Sequence, residues 1–295
     1  MRKIPKQTRA NEGERAERGL GSHRREEDSS CCSGRRCPAV VLWPRLGSTA
    51  ESFSRLLREG ATRGYLMVAI DPPGQGRSER IPLRGRSDAA AIFLAGLDAL
   101  GVKSAVIGGH SYGAGAALAA LVGSPRLRQQ TCGVVLYDGG YMPFDESAEE
   151  LHAECERFLT EYTFASWDDF LASQRKEAPR WDHDMEVAAR ASMIEREGRI
   201  RSRLSVAQCA EAMDLMAGNA PALLPRVELN MALLLRAGQP LDMEKVRLEG
   251  TKALQERISG LSVRVLPRAS HEILDEDPDG VARETFSFLA RVPWG

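Results

Sequence analysis

The sequence predicts an α/β fold, a mostly parallel central sheet flanked by helices with a helical cap inserted into it. Three observations carry that prediction. Short apolar runs alternate with amphipathic or Ala/Leu-rich stretches along most of the chain, the rhythm of a parallel sheet with helices on both faces. One run meets its helix through Gly109-His110-Ser111-Tyr112-Gly113, a turn so tight that side chains two residues either side of the serine would collide. Between residues 141 and 228 the rhythm stops, and a helical pattern takes over for longer than any ordinary loop.

Ala39-Val40-Val41-Leu42-Trp43 is continuously apolar, as strands buried on both faces are. Pro44-Arg45-Leu46-Gly47-Ser48 leads into a helix expected to end near Glu59, with Phe53, Leu56 and Leu57 on one face. A second apolar strand is expected over residues 65–70, followed by the loop Asp71-Pro72-Pro73-Gly74-Gln75-Gly76-Arg77-Ser78. This loop invites comparison with a phosphate cradle, but it lacks the Lys-Ser/Thr ending of a P-loop and the full dinucleotide fingerprint. A helix over 88–100 precedes the strand that feeds the serine turn, and Gly133-Val134-Val135-Leu136-Tyr137 forms the next strand, ending at Asp138-Gly139-Gly140.

The stretch from 141 to about 228 carries helical patterning in Leu151, Cys155, Phe158 and Leu159, then Trp167, Phe170 and Leu171, then Val187, Ala191 and Ile194, and contains no good strand. The alternation resumes with a strand over 231–235, a helix over 243–258, the strand Leu261-Ser262-Val263-Arg264-Val265-Leu266 and a final helix over 278–290. His271 lies in the loop between the last strand and last helix, on the sheet edge that carries Ser111, where a general base can reach. The expected organisation is therefore a basic tail over 1–37, a core over 38–140 and 229–295, and a cap over 141–228.

Composition narrows the function. The 295 residues are 43% hydrophobic and 27% charged with a net charge of −1, so nothing draws the chain to nucleic acid or an anionic membrane, and the expected partner is a small molecule. No apolar run approaches the ~20 residues of a membrane span and no signal-peptide core is present, which makes the cytoplasm the expected location. Residues 1–37 hold ten Lys/Arg against six Asp/Glu and no apolar periodicity, the pattern of a solvated tail. Of the six cysteines, Cys31, Cys32 and Cys37 read as exposed thiols in that tail, and Cys132, Cys155 and Cys209 as small buried hydrophobes. None of the spacings is that of a zinc site, so no metal is expected, and no cofactor.

From Pro38 onward the chain resembles a serine-nucleophile α/β-hydrolase, of the esterase and lipase kind. The resemblance rests on the first strand, turn and helix, on Asp71 to Ser78 as a DxxGxGxS loop, on Gly109-His110-Ser111-Tyr112-Gly113, on Tyr137-Asp138-Gly139-Gly140, and on His271 followed by Asp277-Pro278. It implies Ser111 as nucleophile and His271 as the base that takes its proton and later returns it. It also implies an orienting carboxylate, for which two positions stand. Asp138 occupies the place that dehalogenase-like relatives use, whereas Asp242 lies near the commoner place but one residue beyond the usual spacing from its glycine.

The resemblance places the oxyanion hole at the backbone N–H groups of Tyr112 and Leu46. Relatives carry His-Gly before the second donor, and this chain has Pro44-Arg45, whose side chain restricts the backbone there. Arg45 is either a solvated loop residue or a group that faces the oxyanion or a substrate carboxylate. The activity implied is cofactor-free hydrolysis of carboxylic esters or related acyl compounds through an acyl-serine. The alternatives are a small-molecule-binding protein that kept the fold without efficient turnover, motivated by Pro44-Arg45, and a nucleotide-binding α/β protein.

Overall fold

The structure is a computed structural model that describes residues 38–143, 146–178 and 180–294. The expected tail, with Cys31, Cys32 and Cys37, lies outside the described residues. Six strands form the central sheet in the order β2-β1-β3-β4-β8-β9, and every neighbouring pair is parallel. They are β1 (Ala39–Trp43), β2 (Leu66–Ala69), β3 (Ala105–His110), β4 (Thr131–Tyr137), β8 (Ala232–Ala237) and β9 (Leu261–Leu266).

The sheet is buried on both faces because alternate residues of its central strands feed different cores. Ala39, Val41 and Trp43 of β1, Ile107 of β3, Val134 and Leu136 of β4 and Leu234 of β8 join one cluster. Val40, Leu42, Val106, Val135, Tyr137, Leu233 and Leu235 join the other. The first face is covered by α2 (Arg86–Leu100) and α3 (Tyr112–Gly123). Residues 112–121 of α3 are all buried, which explains the Ala/Gly composition that lets α2 and the sheet approach so closely. The second face is covered by α1 (Ser54–Thr62) and α10 (Pro278–Leu289), the latter through Phe286, Phe288 and Leu289.

Local chemistry shifts several expected boundaries. The helix expected from residue 49 or 50 starts as a 3-10 turn, Ala50–Phe53, before α1. A short helix α4 (Pro125–Gln130) follows α3 where none was expected. Its Ser124 cap accepts from the Leu127 N–H at 3.2 Å and Pro125 opens the first turn, so Ser-Pro was its signal.

Between β4 and β8 lie α5 (Ala148–Glu161), β5 (Thr163–Phe164), α6 (Trp167–Glu177), α7 (His183–Ser192), β6 (Met193–Arg196), β7 (Arg199–Ser202) and α8 (Val206–Ala217). Each helix of this segment begins on its own side-chain cap. Ser147 with Glu150 and Ser205 with Gln208 form capping boxes, and Ser166 and Asp182 cap α6 and α7.

The expectation of no strand here is corrected: β5, β7 and β6 pair as a small antiparallel sheet. Ile194, placed by its spacing on a helix face with Val187 and Ala191, belongs to β6 instead. Helix α7 ends at Ser192, and Glu197 and Gly198 both take positive φ, 53° and 68°, in a two-residue hairpin turn opposite Arg196 and Arg199. Only Met193 and Ile200 of the hairpin are buried, packed with Phe170 and Leu171, so four charged residues masked its alternation.

The reading of Cys155 and Cys209 as plain hydrophobes is likewise corrected. Both are buried, but they form a disulfide joining α5 to α8, with Cα atoms 5.8 Å apart. A separation of 54 residues gives no sequence cue to such a pair. Cys132 remains a free, half-buried thiol whose pKa burial pushes up to about 11. Among the described residues no helix is long and apolar enough to cross a membrane, and no three His, Cys, Asp or Glu gather as a metal site.

Candidate active site

Strand β3 sits between β1 and β4 in the sheet and delivers Ser111 at its carboxyl edge. Ser111 has φ 54° and ψ −116°, a region that side chains disfavour, and its N–H is held by the Tyr137 carbonyl at 2.9 Å. The flanking glycines follow from contact, since a Cβ on either Gly109 or Gly113 would overlap the Trp43 carbonyl. Gly113→Ala is therefore expected to lower unfolding stability by about 3 kcal/mol or more, measured by urea titration of the two proteins.

Three groups from three loops meet here. His271 Nε2 lies 2.8 Å from Ser111 Oγ, and His271 Nδ1 lies 2.8 Å from Asp138 Oδ2. In the tautomer that satisfies both, Nδ1–H donates to the carboxylate and the serine hydroxyl donates to Nε2. Asp138 is 3% exposed, and its other oxygen accepts from the Tyr141 hydroxyl at 2.6 Å and the Ala237 N–H at 2.8 Å. Burial would raise its pKa, but the hydrogen bonds from His271, Tyr141 and Ala237 outweigh that and hold it below the ordinary carboxylate value. Behind Ala237, Arg236 forms a two-pronged pair with Glu244, both contacts at 2.7 Å, which fixes the end of β8.

Asp242, the other carboxylate the sequence offered, is not brought to this site. It is exposed in a 3-10 turn, Leu241–Met243, and does not cap α9 (Glu244–Arg257), whose N-cap is Met243.

His110 is a member that sequence reasoning missed. Burial lowers its pKa to about 4, so the ring is neutral near pH 7, and its Nε2–H donates to the His271 carbonyl at 2.8 Å. The two imidazole rings lie 5.2 Å apart. Nothing in the serine motif itself announced that contact, and Tyr141 had no signal beyond lying three residues past Asp138.

Among the described residues, the N–H groups of Tyr112 and Leu46 have no hydrogen-bond acceptor within the chain, leaving both available to an incoming oxyanion. The backbone restriction expected at Arg45 is relieved nearby. Gly47, not Arg45, takes the left-handed conformation at φ 75°, and its N–H is held by Gln75 Oε1 at 2.7 Å. Asp71 braces the same region by accepting from Ala50 N–H at 2.8 Å and Arg77 N–H at 2.9 Å. The glycine-rich loop that invited a phosphate reading thus spends its polar groups on the first strand's turn. Arg45 itself pairs with Glu272, Nε to Oε2 at 3.1 Å.

A cavity of about 520 Å³ lies over this edge. His110 and Glu272, chain neighbours of Ser111 and His271, line it from the core side with Arg45 and Leu46, so the cavity lies beside the hydrogen-bonded groups, which are not themselves among its lining residues. Leu151, Cys155, Phe158 and Met213 face it from the segment between β4 and β8, so three residues of the helical pattern given above meet it together with Met213, while Phe170 and Leu171 pack inside that segment.

Asp275 also lines the cavity. Burial, reinforced by the charge of Glu272 and opposed by Arg45, raises its pKa to about 6. Its proton is held more tightly in the folded chain than in the unfolded one, so this stability is present below about pH 4 and lost as pH rises through about 6. Asp275→Asn is expected to stabilise the fold by about 1–3 kcal/mol at pH 8 and to make little difference at pH 4, as read by denaturant titration at both values.

A sequence profile described as the alpha/beta hydrolase family matches residues 40–284. Over 101 residues the chain is 34% identical to zearalenone hydrolase of Bionectria ochroleuca, a stretch that takes in 32% of this chain and 38% of that one. The match therefore spans well under half the length of that curated relative. Among solved structures, E-2-(acetamidomethylene)succinate hydrolase aligns with a TM-score of 0.68 at 19% identity, covering 86% of this chain and 92% of that one. The epoxide hydrolase of Bacillus megaterium aligns at 0.64 and 14% identity over 87% and 94%. With the family profile covering most of the chain and the fold shared with these structures, the chain belongs to the alpha/beta hydrolase family.

Proposed function

We propose that this protein is a hydrolase that cleaves carboxylic esters or related acyl compounds through an acyl intermediate on Ser111. The observation that supports this most directly is the unbroken run of hydrogen bonds from Ser111 through His271 to Asp138, each 2.8 Å long. Ser111 Oγ attacks the ester carbonyl carbon as its proton passes to His271 Nε2, and buried Asp138 stabilises the imidazolium that forms. The tetrahedral oxyanion accepts from the Tyr112 and Leu46 N–H groups. Its collapse expels the alcohol, which takes the proton from His271 and leaves the acyl group on Ser111. A water, deprotonated by His271, then attacks the acyl carbon, and collapse returns the proton to Ser111 and releases the acid.

In this reading residues 141–228 cap the site and the cavity takes the body of the substrate. The binding-only alternative was motivated by Pro44-Arg45; that Gly47 and not Arg45 takes the positive φ in this loop supports the catalytic reading over it. Zearalenone, named in the Bionectria relative, is a first compound to offer the enzyme.

A fluorophosphonate probe tests the proposal. Stoichiometric labelling of the wild type is expected, absent in Ser111→Ala and much slowed in His271→Ala. Labelling that persists in Ser111→Ala, or a wild type that resists the probe, would reject the acyl-serine mechanism.

A further inference from the structure

We infer that the substrate group entering the cavity is uncharged or cationic, and that the cavity selects against anionic esters; this rests on the hydrolase reading above. Five carboxylates line the cavity, Glu154, Glu177, Glu272, Asp275 and Glu276, against one guanidinium, Arg45. That guanidinium already faces Glu272 at 3.1 Å, so a substrate carboxylate would have to displace a neighbour that the protein holds in place. His110, neutral near pH 7, adds no positive charge.

The carboxylates face the space from two sides, Glu272, Asp275 and Glu276 from the segment after β9 and Glu154 and Glu177 from α5 and α6. In a partly enclosed cavity such charges are screened less than on an open surface. The walls suit the same ligand class. Phe158 and Tyr162 stack with ring centroids 5.2 Å apart, and Trp181 joins them in the lining. Aromatic faces attract cations and pack against neutral rings, while their negative quadrupoles repel anions. Met185, Met193 and Met213 supply an adaptable apolar surface without charge.

The experiment compares three acetates, 4-(trimethylammoniomethyl)phenyl, 4-neopentylphenyl and 4-(carboxymethyl)phenyl acetate, with each kcat/KM divided by that ester's own rate of hydroxide hydrolysis to remove the difference in leaving-group acidity. Expected is a normalised kcat/KM at least 10-fold lower for the carboxylate than for either other ester, with Ser111→Ala inactive on all three. Glu177→Gln combined with Asp275→Asn should narrow the gap at least threefold at pH 8. Equal or faster turnover of the anionic ester, dependent on Ser111, would overturn the inference while leaving the acyl-serine mechanism intact.

A second arm needs no turnover. Tryptophan fluorescence of Ser111→Ala titrated with benzyltrimethylammonium and with phenylacetate should give a dissociation constant at least 10-fold lower for the cation. Equal or tighter binding of phenylacetate would overturn the inference whatever the fate of the mechanism.

Discussion

Ser111→Ala is expected to lower kcat on an activated ester by about 10⁴ to 10⁶-fold while leaving KM within a few-fold. In the proposed mechanism the hydroxyl carries the attack, whereas the cavity walls and the Tyr112 and Leu46 N–H groups, the proposed oxyanion donors, are untouched by the change. Alanine takes over the positive φ of Ser111 without new bulk, and among the described residues its side chain gives up one hydrogen bond, that to His271, so the variant should fold. His271→Ala should cost a similar factor, and the double variant hardly more than either single one, because a serine without its base and a base without its serine are equally idle. Steady-state kinetics on the three variants decides this. Losses that multiply would mean that the two side chains contribute through separate steps.

The sequence carried the centre of the sheet because strands buried on both faces read as unbroken apolar runs, as Ala39–Trp43 shows. It carried Ser111 for a steric reason, since Gly109 and Gly113 have no alternative beneath the Trp43 carbonyl. What was illegible depends on contacts between distant segments. The hairpin over β6 and β7 is short, charged and stabilised mainly by packing on Phe170 and Leu171, so its pattern could pass for a helix face. The Cys155–Cys209 bond joins two helices whose proximity no local pattern encodes. The pairing of Arg45 with Glu272 needed the loops after β1 and β9 to converge, which placed a candidate substrate anchor against a carboxylate instead. The choice between Asp138 and Asp242 was open for the same reason, because both follow a strand, the first directly and the second five residues later, and the folding of each loop decides which reaches the imidazole.

Asp138→Asn is expected to depress kcat by about 10⁴-fold and Asp242→Asn to leave it within about twofold. The size of the first effect follows from what holds the side chain. Oδ1 of Asp138 receives the Ala237 N–H, a backbone donor that cannot turn into an acceptor, and the Tyr141 hydroxyl as well. An asparagine must therefore keep its carbonyl oxygen toward Ala237 and present its NH₂ group to His271. Nδ1 of the imidazole then has to accept, which moves the ring proton to Nε2 and points it at Ser111. In that tautomer His271 cannot take the serine proton, although every heavy atom is where it was. Tyr141→Phe separates orientation from charge. It removes one of the two donors on Oδ1 but leaves Ala237 and the carboxylate, so a loss of no more than about tenfold is expected, far short of the loss in Asp138→Asn. Asp242, exposed and outside the hydrogen-bonded run, has no route by which amidation could reach the tautomer. Full activity in Asp138→Asn together with collapse in Asp242→Asn would show that the working base is oriented from the β8 side, through a rearrangement of the loop after Ala237.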